Sequence, residues 1–301
     1  MPKTTDEVAR VRELLRKVRR IQVRTDRLVT DVVVGEYRSV FKGRGMEFEE
    51  VREYQPGDDI RTIDWNVTAR THIAHVKRYV EERELIVILL VDVSLSGRFG
   101  SAEQLKIDLA TEISAVLAFS AIKNNDKIGL LIFTDQVEKY IPAKKGKPHV
   151  LRVIRELLSF EPTRGGTNVA GALEFLNRIL KRKAVVFLVS DFIDTEYEHD
   201  LALTRSRHDL IPVRVSDPRE VTLPDVGLIE LEDAETGERV LVDTRRKRTR
   251  DAFAARSRDD DAALDSLLRG MGVEALQVST DRPYMQDVLN FFRRRERRLK
   301  H

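Results

Sequence analysis

The chain has 301 residues, 42% of them apolar and 34% charged, and 53 basic side chains against 50 acidic ones leave a net charge of only +3. That composition suits a soluble globular protein with a substantial core, and its apolar runs are strand-sized, well short of the roughly 20 residues a membrane helix needs. With no cysteine, disulfides, thiolate metal sites and a cysteine nucleophile are excluded, and the charged first thirty residues lack the apolar core of a secretion signal, so a cytoplasmic protein is expected.

In chain order, residues 6–28 read as a helix, with Val8, Val11, Leu14, Leu15, Val18 and Ile21 at helical spacing. Residues 47–54 read as a polar strand, 55–59 as a turn, 60–69 as a short helical segment and 73–82 as a strand. From 85 the order becomes regular. Strands are expected at 85–91, 128–133, 184–190 and 210–215, and helices at 103–123, 149–158, 170–180 and 201–206. Strands alternating with helices argue an α/β fold with a mostly parallel sheet covered on both faces. The unbroken apolar runs Leu85–Leu90 and Ala184–Val189 suit its central strands. A hairpin at 228–233 and 239–243, a helix at 249–270, a strand at 273–278 and a final helix at 284–298 complete the chain. Residues 1–84 read as an amino-terminal extension, and residues 85–301 as the α/β domain with its carboxyl-terminal hairpin and helices.

The chemistry gathers at three strand ends and loops. Asp92, Ser94 and Ser96 follow the first buried strand, Gly165-Gly166-Thr167-Asn168 precedes the helix at 170–180, and Ser190-Asp191 ends the strand at 184–190. In an open parallel sheet, loops at the carboxyl ends of strands meet near the topological switch point. Three hydroxyls and two carboxylates then offer the hard oxygen ligands that a magnesium-type ion prefers, near ~2.1 Å and with several waters retained. An Asp and Ser at a strand end often only cap the next helix, but the three pieces together point to metal.

These pieces resemble the metal-ion-dependent adhesion site (MIDAS) of von Willebrand factor A domains. Asp92, Ser94 and Ser96 match its Asp-x-Ser-x-Ser motif, Thr167 the threonine of its second loop and Asp191 the aspartate after the fourth strand. Gly43-x-Gly45-Met46-Glu47-Phe48, Arg52-Glu53-Tyr54-Gln55-Pro56-Gly57-Asp58-Asp59 and Arg61-Thr62-Ile63-Asp64-Trp65 precede them. This second signature resembles the bacterial MoxR-associated family, the domain of unknown function numbered fifty-eight. The resemblance implies a von Willebrand factor A-like fold and a working partnership with a MoxR-type AAA+ ATPase, in chaperone-like assembly or maturation of client proteins. It also implies bound Mg2+ or Mn2+ whose open position accepts an acidic side chain of the client. Many family members carry membrane helices ahead of this signature, and this chain reads as a soluble branch.

On this reading the protein is a non-enzymatic interaction module. A phosphoester hydrolase is the alternative, but the second aspartate of haloacid-dehalogenase-like enzymes is replaced by Ser94, and no acid-base carboxylate accompanies Asp92. No phosphate-binding loop of the Gly-x4-Gly-Lys-Ser/Thr type occurs. Arginine clusters at 10–27, 245–250 and 293–298 raise nucleic-acid binding as a further alternative, yet without interleaved aromatics they read as solvated surface, and nucleic acid is not an expected partner. Arg61, Asp64, Trp65 and Arg70 are candidate partner-binding residues; the competing expectation is a brace in which Asp64 pairs with an arginine and Trp65 fills a gap in the core. His72 and His75 are discounted as ligands, because an extended segment points them to opposite faces.

Overall fold

The computed structural model describes residues 16, 19–20, 31–41, 47–80, 84–101, 104–162, 165–194, 196–233 and 237–300. The expected helix at 6–28 and residues 43–46 of the family signature lie almost wholly outside them. In chain order the elements are α1 (Asp31–Phe41), β1 (Glu47–Glu53), α2 (Trp65–Thr71), β2 (His75–Val80), β3 (Ile86–Asp92), α3 (Lys106–Lys123), β4 (Lys127–Phe133), β5 (Val137–Lys144) and α4 (Lys147–Leu158). Then come α5 (Val169–Ile179), β6 (Val185–Ser190), α6 (Glu198–Arg207), β7 (Asp209–Ser216), α7 (Pro218–Val221), β8 (Leu228–Glu232), β9 (Arg239–Asp243), α8 (Lys247–Gly270), β10 (Leu276–Ser279) and α9 (Met285–Lys300).

Six strands form the main sheet in the order β10-β7-β6-β3-β4-β5. All neighbours are parallel except β5, which runs antiparallel to β4 at one edge. The expected α/β fold, a mostly parallel sheet with helices on both faces, is the one observed. Alternation along the strands builds two separate cores. Val87, Leu89 and Val91 of β3 face α1, α3, α4 and α9, whereas Ile88 and Leu90 face α5, α6 and α8. A strand buried on both sides must be apolar at every position, and so Leu85–Leu90 shows no polar alternation.

Helix α3 is the central element of the first core. Every residue from Ile113 to Ala121 is buried, and the hydroxyls of Thr111 and Ser120 donate to the carbonyls one turn earlier at 2.8 Å. The helix α1, unassigned in the sequence because Val32-Val33-Val34-Gly35 lacks helix formers, forms here because tertiary packing outweighs propensity. Val33, Tyr37, Val40 and Phe41 make one buried stripe. Phe41 and Phe292 of α9 meet edge to face at 6.2 Å between centroids. At the far end of the sheet from the candidate site, the Tyr37 hydroxyl donates to the buried Asp126 at 3.1 Å.

The edge strand β5 was also unassigned. Its residues are mostly half-exposed, only Ile141 is buried, and Pro142 reads as a breaker; proline is tolerated on an edge that lacks one neighbour. Gly129 of β4 lets β5 approach, since a Cβ there would lie 2.8 Å from Ile88 Cδ1 and 3.0 Å from the carbonyl oxygen of Ile141.

Candidate metal centre

The winding of the sheet reverses at β3, with β4 on one side and β6 on the other, and the candidate ligands collect at the carboxyl ends of β3 and β6 as the switch-point rule requires. Asp92 is the last residue of β3. Its Oδ1 accepts from the Ser94 N–H at 2.9 Å and its Oδ2 from the Ser190 hydroxyl at 2.7 Å. The hydroxyls of Ser94 and Ser96 lie 2.9 Å apart. Asp191 follows β6, and its Oδ1 accepts from the Ile193 N–H at 3.2 Å. Between them Phe192 has φ 60°, a left-handed backbone that a bulky side chain rarely adopts. The Phe192 N–H donates to Ser190 Oγ at 3.0 Å, so this strained turn fixes both Ser190 and Asp191.

Asp92, Ser94, Ser96, Ser190 and Asp191 line a cavity of about 20 Å3, room for one water or one small ion. Thr167 does not line it. Thr167 is half-buried in a loop tied to the same region, where the Gly165 carbonyl accepts from the Leu95 N–H at 3.3 Å and the Asn168 N–H donates to the Thr134 carbonyl at 2.8 Å. The structure thus brings four of the five expected ligands onto one cavity and holds the fifth on the adjoining loop.

One cavity-lining side chain was missed in the sequence. Lys106, in the first turn of α3, is 2% exposed, and its Nζ lies 2.7 Å from Asp191 Oδ2 and also bonds Glu220. Its signal was a lone lysine at the register of Leu109, Ala110 and Ile113, the buried face of an apolar helix. Burial opposes its charge, but the Asp191 and Glu220 carboxylates outweigh that and raise its pKa, so it stays an ammonium. Glu220 is itself held above the usual carboxylate range by burial, which Lys106 only partly offsets.

Asp92 is in a different position. The groups bonding it, Ser94 N–H and Ser190 Oγ, are neutral. Burial, and then the charge of Asp191, push its pKa up to about 7, against the pull of those hydrogen bonds. Two buried carboxylates whose charges repel, beside hydroxyl oxygens and an ion-sized cavity, fit a divalent cation. The donor set is oxygen only, hard and poor in carboxylate, as magnesium or manganese prefers. Among the described residues no group of three or more His, Cys, Asp or Glu stands ready for a metal, so hydroxyls must complete any such site.

A family model described as "Protein of unknown function DUF58" matches residues 50–263. The chain is a member of the DUF58 family. It is 32% identical over 290 residues to "Uncharacterized protein Rv1480" of Mycobacterium tuberculosis (strain ATCC 25618 / H37Rv), covering 95% of this chain and 90% of that one. Among solved structures it is similar to the conserved hypothetical protein BatB from Bacteroides thetaiotaomicron, at 14% identity and TM-score 0.45 over 71% of this chain and 99% of that one. It is also similar to the SpRpn10 VWA domain, at 11% identity and TM-score 0.39 over 69% of this chain and 95% of that one.

The DUF58 signature lies mostly on the β1–β2 sheet and α2. Arg52 and Asp58 pair at 2.6 Å across its turn. Asp64 caps α2, accepting from the N–H groups of Asn66 at 3.0 Å and Val67 at 3.2 Å. Trp65 does not fill a core gap, as the brace expectation had it. It is 67% exposed, with Ile60 and Ile73 also exposed nearby in sequence, and Arg61 and Arg70 exposed beside it. His72 ends α2 in the left-handed conformation, and His75 Nδ1 is engaged by the Ile73 carbonyl at 2.7 Å, uses unrelated to a metal.

The carboxyl-terminal arginines of this DUF58 chain are largely paired. Arg293 meets Glu36 at 2.8 Å, Arg294 and Arg298 share Glu274, and Arg295 pairs with Asp209. Arg246 and Arg250 likewise meet Asp243 and Asp225. Among the described residues no helix is long and apolar enough to cross a membrane.

Proposed function

We propose that this chain is a non-enzymatic, metal-dependent protein-interaction module, in which Asp92, Ser94, Ser96, Thr167 and Asp191 hold Mg2+ or Mn2+ directly or through water. The observation that carries the reading is the ion-sized cavity lined by two buried carboxylates and hydroxyls at the switch point. An ion bound by few carboxylates stays electron-poor and favours a further anionic oxygen from outside. The chain supplies apolar surface for a partner nearby in sequence, since Phe99, Leu105 and Ile193 are exposed in the segments that follow Ser96 and Asp191. A role beside a MoxR-type AAA+ ATPase, handling client proteins, follows from the family resemblance, and the exposed Arg61, Trp65 and Arg70 beside Asp64 are the proposed docking residues for that ATPase.

The geometry favours this over hydrolysis. Both Asp92 oxygens already accept hydrogen bonds from neighbouring groups, and the side chain is buried, so it is placed to hold an ion rather than to attack a phosphorus atom. The paired arginines of α9 likewise weigh against nucleic acid, whose binding needs free cations. The test is binding of the purified chain to its cognate ATPase, read by calorimetry in Mg2+ and in EDTA. The proposal expects binding in Mg2+ that EDTA or Asp92→Ala removes while the circular dichroism spectrum is kept. Equal binding in EDTA would refute it.

A further inference from the structure

The lysine at the wall of the cavity calls for a reason. Burying an ammonium is costly, and buried lysines are kept only where paired carboxylates compensate. Here the compensation is built from distant parts of the chain. Glu220 is fixed by a capping box on α7, where its Oε2 accepts from the Asp217 N–H at 3.0 Å and Asp217 in turn accepts from the Arg219 N–H at 2.9 Å. Asp217 is anchored by the Ser101 N–H at 2.8 Å and by the Thr280 hydroxyl at 2.6 Å. Lys106 therefore has two seats: Asp191, on the cavity, and Glu220, held rigidly behind it.

We propose that Lys106 is a built-in cation that sets the metal affinity of the site. It neutralises Asp191 when no ion is present, and it withdraws onto Glu220 when an ion takes Asp191. This inference rests on the metal reading above. Charge counting supports it. Asp92, Asp191 and Glu220 carry three negative charges when ionised, and Lys106 with a divalent ion supplies three positive ones, so the loaded cluster is neutral. Without Lys106 the loaded cluster would stay negative, hold the ion more tightly and repel an acidic partner. The lysine thus trades affinity for the metal against affinity for a carboxylate from outside, and keeps Asp191 aligned between occupancies.

The test uses the full chain, titrated with MgCl2 by calorimetry at pH 8 after removal of metal, with urea unfolding in EDTA and in saturating Mg2+ alongside. An ammonium within a few ångströms of a divalent ion, at the effective dielectric of a protein, predicts that Lys106→Met tightens Mg2+ binding by at least about tenfold. The same variant should lose stability in EDTA and recover it in Mg2+ by more than the wild type does. Lys106→Arg, which keeps the charge, should bind Mg2+ within about threefold of the wild type. Should Lys106→Met fail to fold, Glu220→Gln serves: with one seat left, Lys106 stays on Asp191, and Mg2+ binding weakens although Glu220 does not line the cavity. Wild-type affinity in Lys106→Met, or in Glu220→Gln where Lys106→Met does not fold, overturns the inference and leaves the metal reading standing. No Mg2+ binding by the wild type or any variant at millimolar concentration overturns both.

Discussion

Asp92→Asn should make the metal-free protein more stable at alkaline pH while removing its response to metal. In the folded chain burial and Asp191 raise the Asp92 pKa from 3.8 to about 7. A carboxyl raised in the folded state contributes stability that is complete below 3.8 and is lost as the pH rises through about 7. The span corresponds to about 4 kcal/mol at most, because each pH unit of displacement is worth about 1.4 kcal/mol. Asparagine keeps the size and the acceptor for Ser94 N–H, but its amide must face Ser190 Oγ, which now donates to Asp92. A rearranged hydrogen bond there costs about 1 kcal/mol. In EDTA the variant should therefore be about 3 kcal/mol more stable than the wild type at pH 8 and level with it or slightly weaker at pH 4. Mg2+ at about 1,000 times its Kd should reverse the order at pH 8, since it adds about 4.1 kcal/mol to the wild type alone, more than the variant's advantage of about 3 kcal/mol. Urea unfolding at both pH values, with and without Mg2+, reads all of this. A stability difference that does not change with pH, or an equal gain from Mg2+ in both proteins, would refute the reasoning.

Three further outcomes follow from the same structure. Trp65→Ala should change stability by no more than about 0.5 kcal/mol, as expected for an exposed position, while weakening binding to the ATPase in calorimetry. Tyr37→Phe strips the buried Asp126, itself pushed up to about 6 by burial, of a hydrogen bond and should cost about 1–3 kcal/mol in urea unfolding, the more so above pH 6 where the carboxylate is charged. Burial works to raise the pKa of Asp217, but hydrogen bonds from Ser101, Thr280 and Arg219 outweigh it and hold the pKa low. That stability is present above 3.8 and lost as the pH falls through the depressed value, so Asp217→Asn should cost roughly 2–3 kcal/mol at pH 7 and progressively less below pH 3.8.

What could be read from the sequence follows from where each residue's environment is set. Strands β3 and β6 were legible because burial on both faces leaves only one composition that works, and the gathering of Asp92, Ser94, Ser96 and Asp191 at their ends was legible because parallel strands bring their carboxyl ends together. The edge strand β5 and the helix α1 were not, since a half-exposed strand containing Pro142 and a helix containing Val32-Val33-Val34 owe their form to neighbours far along the chain. The same holds within the site. Asp92, Ser94, Ser96 and Asp191 are local to strand ends, whereas Lys106 and Glu220 lie 114 residues apart and meet only because the fold brings the start of α3 against α7. Trp65 shows the converse error, for the brace expectation placed its ring in the core, and only the fold reveals that the first turn of α2 leaves it on the surface.

The central claim is tested most directly by a crystal structure of the protein grown in Mn2+, with anomalous scattering to locate the ion. The account predicts one anomalous peak in the cavity beside Asp92, with oxygens of Ser94, Ser96 or their waters at about 2.1–2.2 Å and Lys106 turned toward Glu220. A cavity without manganese at millimolar concentration, with Lys106 still on Asp191, would contradict it.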